Sequence, residues 1–459
     1  MNLAYGQPLG GGEARDIELS PPDRLRSVYF IGSSGSGKSS ALETLLVQDI
    51  HDGVGFGVFD VEDRLVPRVL RHLVDAGREP VLIDPTIGPS RLNVLHVPEG
   101  VHPHTVVEGC LQAFRRAWFD SWGARLEDLL RHSLILFVEQ GLTIAELPHF
   151  LSDAAWRERV AQASQDQRAR SYFLDHLRAI SQREVRVWVE STRNKAAAFA
   201  NNPFIQPSIA AEDCLDFQKL MDEGRPLIVN LPETILGDSG KLLAMLIVSR
   251  LYQAALQRRE GARPWFLYAD EFQNFATRSF IDLVTRSRKR GVGSVIAHQT
   301  ISQPPFDSNP EFLSSLLANT AVHVVMQVGR EDAERFAKEI FPASGTEAKR
   351  RKKHWMWGDF GDPQFYSVNE EREAQCRELE HQHQRECFVK VKRNDGTEVF
   401  VAQSYDLPEP DATQEQGAHL AAEAVTRFAP GAPRDRLARF LAQKRRRAVD
   451  EGEQPGEPD

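Results

Sequence analysis

The run Val28-Tyr29-Phe30-Ile31 is β-branched and aromatic, and it breaks at once into Gly32-Ser33-Ser34-Gly35-Ser36-Gly37-Lys38-Ser39-Ser40. Ala41, Leu42, Leu45, Leu46 and Val47 then follow at helical spacing. Gly32 and Gly37 bracket four small residues, so successive backbone N–H groups can turn inward around phosphate oxygens with no Cβ in the way. Lys38 reaches the β- and γ-phosphates, and the Ser39 hydroxyl supplies an oxygen to Mg²⁺. The partly positive N-terminus of the helix points at the same place. Strand, glycine-rich loop, Lys-Ser and helix in this order form a P-loop, in which Gly32 to Ser40 cradle a nucleotide such as ATP.

A P-loop requires further strands that end at the nucleotide, and the chain supplies them. Gly55-Phe56-Gly57-Val58-Phe59-Asp60 is an apolar run closed by an acid, which puts Asp60, Glu62 and Asp63 near the nucleotide edge. Strand patterns recur at Pro80 to Pro85 and Pro226 to Leu231, separated by helical segments, as in an α/β sheet. Pro264-Trp265-Phe266-Leu267-Tyr268-Ala269 then ends in Asp270-Glu271, the Walker B arrangement. Asp270 would help hold Mg²⁺, and Glu271 is placed to orient or deprotonate the attacking water. Ser294 to His298 forms the next strand, ending in Gln299, a neutral amide that either senses the γ-phosphate and holds the water or is an ordinary turn residue. Ala321 to Val328 reads as a last core strand, and the fold is expected to close at the following helix. The fold class is α/β, with a RecA-like P-loop core, a mainly parallel sheet, an inserted all-helical subdomain and a mobile C-terminal tail.

Composition narrows the function from another side. The formal net charge of the 459-residue chain is −9, so any DNA contact is concentrated on a local surface such as a pore. Four scattered cysteines without a secretory leader suit a reducing, cytoplasmic location. No apolar run approaches the roughly 20 residues of a membrane span.

Residues 1–101 comprise an N-terminal arm, with Asp16 to Leu19 as an edge strand or arm, and the first part of the ATPase core. Residues 102–212 read as the all-helical insert, with Gly141 as a helix C-cap and Thr143 to Glu146 as a capping box. Its Arg183, Arg186, Arg193 and Lys195 form either a solvated helix face or a DNA-facing surface. Residues 213–345 complete the core; 346–406 hold a basic and aromatic segment (349–366), a helix and a β-hairpin. Cys376, His381, His383 and Cys387 raise a zinc question, although their spacing matches no usual site. Residues 407–459 are the tail, in which Arg434 to Ala448 reads as either a helix docking a protein partner or a loosely packed terminal helix.

Three stretches carry a more specific signal: Trp122-Gly123-Ala124-Arg125-Leu126-Glu127-Asp128, Tyr268 to Phe275, and Ser287-Arg288-Lys289-Arg290-Gly291 leading to His298-Gln299. With the P-loop, they make the chain from roughly residue 25 to 405 resemble the HerA/FtsK superfamily of P-loop ATPases, and most of all the soluble part of type IV secretion coupling proteins. The resemblance implies a homo-oligomeric ring, a hexamer, that hydrolyses ATP between subunits and moves DNA through its pore. It also places Arg288 where an arginine finger acts on the neighbouring subunit's nucleotide. Coupling proteins begin with transmembrane helices and HerA with a small β-barrel, and the residues ahead of Val28 are too few for either. Two functions follow: an ATP-driven DNA motor for transfer or processing, and an ATP-gated platform recruiting a nuclease or other effector.

Overall fold

The computed structural model describes residues 1–302, 310–341, 367–406 and 409–430. In chain order its strands are β1 (Asn2–Pro8), β2 (Arg15–Glu18), β3 (Val28–Ile31), β4 (Gly55–Asp60), β5 (Val81–Ile83), β6 (Leu227–Asn230), β7 (Trp265–Ala269), β8 (Val292–His298), β9 (Val322–Val325), β10 (Glu386–Lys392) and β11 (Thr397–Ser404). They form one sheet in the order β2-β1-β11-β10-β9-β3-β8-β7-β4-β6-β5. Every neighbouring pair from β9 to β5 is parallel. Every pair from β9 to β2 is antiparallel.

The parallel strands are apolar throughout because both faces are covered. Along β3 all four residues are buried, Tyr29 and Ile31 in one hydrophobic core and Val28 and Phe30 in the other. The first core takes in the helices between Pro103 and Ile209 and the long helix Glu233–Gln257, which breaks at Gly237. The second holds the P-loop helix Lys38–His51 and the helix Val66–Asp75. Gly141 caps its helix in the left-handed conformation, and Thr143 with Glu146 closes a capping box.

Past the helix Arg330–Ile340 the sheet continues, contrary to the expectation that the fold closes there. The β10–β11 hairpin pairs antiparallel with β9, Phe388 opposite Val325. β1, which sequence pattern did not reveal, pairs with β11 from the opposite end of the chain, Ala4 opposite Ser404. β2 is the edge strand at the end of this flank. The helix Val368–Glu380 stops at His381, so His381 and His383 stand exposed on a turn while Cys387 is buried in β10. No group of three metal-ligating side chains forms among the described residues.

The tail also departs from expectation, because residues 409–430 are docked rather than mobile. Gln414–Arg427 is a helix with a Thr413–Gln416 capping box, and its Ala421, Ala424 and Val425 join the second core. Those positions fall on one helical face, which an Ala-rich stretch buries at little side-chain entropy cost. Asp75 accepts the backbone N–H groups of Asp411 and Ala412 at 2.9 Å each, and Arg71 donates to the carbonyls of Pro410 and Ala412 at 2.8 and 2.6 Å. The basic and aromatic segment 349–366 and the stretch Arg434 to Ala448 lie outside the described residues. Among the described residues no helix is long and apolar enough to cross a membrane.

Candidate nucleotide site

The carboxyl ends of β3, β4, β7 and β8 converge on one cleft of about 450 Å³, lined by Ser34 to Ser40 except Ser36, and by Asp60, Asp270, Glu271 and Gln299. At its floor Gly37 holds φ 108° and caps the helix that begins at Lys38. A Cβ there would lie 3.0 Å from Arg385 Cγ, and one at Gly32 would lie 2.7 Å from Ser36 Oγ and 2.8 Å from Met326 Cβ. The loop is therefore closed to larger residues at both of its bracketing glycines. Lys38 folds back onto it, Nζ donating to the carbonyls of Gly32 at 2.6 Å and Ser33 at 3.2 Å. Burial lowers the Lys38 pKa, opposed by the charges of Glu271, Asp270 and Glu62.

Ser39 Oγ donates to Asp270 Oδ2 at 2.6 Å, joining the P-loop helix to the end of β7. Burial raises the Asp270 pKa, as does the neighbouring Glu271 charge, while the Ser39 hydrogen bond opposes both. A hydroxyl and a carboxylate at the head of a cleft, with a second carboxylate beside them, are a hard-oxygen donor set that suits Mg²⁺. Glu271 is buried and sits in the left-handed region at φ 49°, ψ 44°, a conformation that costs a side-chain-bearing residue about 1 kcal/mol or more. Gln299 Nε2 donates to Glu271 Oε1 at 2.7 Å, so the two candidate water-handling groups touch.

Behind Gln299, His298 fixes the end of β8. Its Nδ1 lies 3.1 Å from the Thr300 carbonyl and its Nε2 meets the Tyr29 hydroxyl. Complete burial pushes the His298 pKa down to about 3, so the ring is neutral, donating from Nδ1 and accepting at Nε2.

Asp60 reaches the cleft but is spent on structure. Its carboxylate accepts the backbone N–H groups of Glu62, Leu65 and Val66 at 2.7 to 2.9 Å and so starts the helix Val66–Asp75. Asp63 accepts from Asn230 Nδ2 at 2.9 Å. Arg288 is not brought to this cleft. It is exposed, in the 3₁₀ turn Arg288–Arg290 ahead of β8, and lines a groove with Arg26, Arg393 and Phe400. That groove lies about one strand length, roughly 20 Å, from Gln299. Sequence reasoning missed Gln273, whose Nε2 donates to Glu271 Oε2 at 2.6 Å, although a polar residue two places after the Walker B glutamate was a usable signal. It also missed Gln384, Asp406 and Glu409 on the cleft rim, which arrive from distant segments with no local signature.

Parallel strand order, P-loop and acid-terminated β7 define a RecA-like P-loop core. Solved structures with the same fold include the plasmid coupling protein TrwB in complex with a non-hydrolysable ATP analogue, ADPNP (TM-score 0.60, 15% identity, 89% of each chain covered). An unbound form of the conjugative coupling protein TrwB lacking its first 70 residues gives TM-score 0.58 at 15% identity, over 85% of this chain and 88% of that one. VirB4 of Thermoanaerobacter pseudethanolicus gives 0.57 at 14% identity, over 89% and 97%. No protein-family profile matches the sequence, and no curated protein does.

Proposed function

We propose that this chain is an ATPase of the type IV secretion kind that binds ATP with Mg²⁺ and works as a DNA-translocating ring. The observation that carries the reading is the convergence of Lys38, the Ser39–Asp270 pair and the Glu271–Gln299 pair at the head of one cleft, brought there by the P-loop helix and the ends of β7 and β8. In this reading Gly32 to Ser40 wrap the phosphates, and Lys38 exchanges its two carbonyl partners for phosphate oxygens. Ser39 and Asp270 would hold Mg²⁺, which neutralises phosphate charge when bound. Glu271 accepts the proton of, or orients, the attacking water, and Gln299 holds that water or reads the γ-phosphate. The TrwB structures with ADPNP and with ADP and Mg²⁺ support the same nucleotide and cation here.

The reading extends to a homo-hexamer completed in trans by Arg288, with DNA in the pore. A partner protein would engage the segment beyond residue 430.

The test is ATP binding and turnover, with and without duplex and single-stranded DNA, on material of known oligomeric state. Lys38→Ala should weaken binding, whereas Glu271→Gln should bind ATP and lose turnover by about 10²- to 10⁴-fold. A Glu271→Gln protein that hydrolyses ATP at the normal rate rules Glu271 out as the base. Turnover indifferent to either form of DNA favours an ATP-gated platform over a motor.

A further inference from the structure

Glu271 is gripped from two sides. Gln299 Nε2 donates to Oε1 and Gln273 Nε2 to Oε2, at 2.7 and 2.6 Å. Donors on both oxygens fix the plane of a carboxylate, so turning it toward a water in the nucleotide cleft requires one of the bonds to break.

The two amides differ in what stands behind them. Gln299 ends β8 directly after His298, whose ring is held on both nitrogens, and it lines both the nucleotide cleft and a second cleft beside it. Gln273 lies in the 3₁₀ turn Phe272–Asn274. It lines that second cleft, of about 560 Å³, and not the nucleotide cleft; there Arg116 and Ala117 from the helix Pro103–Ala117 meet Asp238 and Lys241 of the long helix. Glu271, Gln299 and Glu62 line both clefts and stand where the two meet.

We infer that Gln273 is a positioning residue that latches Glu271 in a resting orientation, and that movement of the helical region bordering the second cleft releases it. This rests on Glu271 being the group that handles the water. The latch makes turnover conditional: ATP can fill the cleft while Glu271 stays turned toward Gln273, and hydrolysis waits for the helical side to move. Gln299 remains with the nucleotide edge throughout.

The experiment is steady-state ATP turnover without DNA for the wild type, Gln273→Leu, Glu271→Gln and the double variant. Gln273→Met serves as a second donor-free side chain of matched length if the leucine variant does not fold. Losing a charge-assisted hydrogen bond that holds only the resting state should raise kcat by about ten-fold. The KM for ATP should stay unchanged, and the double variant should be as inactive as Glu271→Gln. A folded Gln273 variant with unchanged or reduced kcat overturns the latch alone, provided Glu271→Gln is inactive. So does a gain that persists in the Glu271→Gln background. If Glu271→Gln turns over normally, the assignment of Glu271 falls and the latch falls with it.

Discussion

From β9 to β5 the sheet is parallel, buried on both faces and built from strands that alternate with helices along the chain; from β10 to β2 it is antiparallel and built from residues 2–18 and 386–404. The parallel part delivers the chemistry, since Lys38, Asp270, Glu271 and Gln299 all follow its strands at their carboxyl ends. The flank delivers none of these groups, yet it holds the glycine-rich loop in place. Arg385, in the left-handed region at φ 73° just before β10, donates its backbone N–H to the Ser36 carbonyl at 2.8 Å and packs against Gly37. Asn2 and Gln48 exchange hydrogen bonds of 2.8 Å that tie β1 to the P-loop helix. The difference teaches that reactive groups can be supplied by local chain order while the rigidity behind them comes from residues hundreds of positions away.

The largest expected effect tests whether the parallel edge is complete within one chain. Arg288 stands at the opposite end of β8, in the groove where the parallel part meets the flank. If it acts on a neighbour's nucleotide, Arg288→Ala should bind ATP normally and hydrolyse it slower by the order of 10³-fold or more. Mixing it with Lys38→Ala subunits should restore part of the activity, because some interfaces then pair an intact P-loop with an intact arginine. Near-normal hydrolysis by the single variant, or no recovery in rings whose subunits demonstrably exchange, would end the trans role.

The next effect is on stability inside the parallel part. Asp49, fully buried on the P-loop helix, accepts from Arg24 Nη1 at 2.9 Å and from the Tyr268 hydroxyl of β7. Arg24 Cζ also stacks 3.6 Å from the centroid of Phe266. Asp49→Ala would leave a buried guanidinium without its carboxylate, at about 3 to 5 kcal/mol. Urea unfolding followed by circular dichroism measures this, and a loss under about 1 kcal/mol would show that the triad does not brace the P-loop helix against β7.

The smallest effect concerns the seam between the two parts. Glu339, on the helix Arg330–Ile340, receives Lys390 Nζ at 3.0 Å and lies 3.3 Å from both Lys392 Nζ and His323 Nδ1. Burial alone would raise its pKa, but the close approach of His323 and the hydrogen bond from Lys390 reverse that and hold it well below the usual carboxylate range. Because the folded pKa is the lower one, this stabilisation is present above the unfolded value of about 4.3 and is lost as pH falls from there through the folded pKa. Glu339→Gln should cost about 1 kcal/mol at neutral pH, given the partial exposure of the site, and should flatten the acid limb. Unfolding midpoints of both proteins between pH 3 and 7 provide the check. Parallel curves across that range would mean the cluster does not tie β9 to β10.

The sequence alone determined the P-loop, the Walker B acids, the strand ending in Gln299 and the alternation that makes the sheet parallel. Each is a short-range pattern, because glycine geometry, apolar runs and the residue at a strand's end are set by near neighbours. It also marked Asp60 as a cleft residue, but could not show that three backbone N–H groups consume its carboxylate. Tertiary structure decided the remainder. β1 became a strand because β11 offers it a register across almost the whole chain, and the tail helix docked because Ala421, Ala424 and Val425 find the face of Val66–Asp75. Gln273 took on a candidate role only when the turn after β7 brought its amide to Glu271. Pairing register, docking partner and side-chain approach depend on residues far apart in the chain, and a reading from local pattern has no access to them.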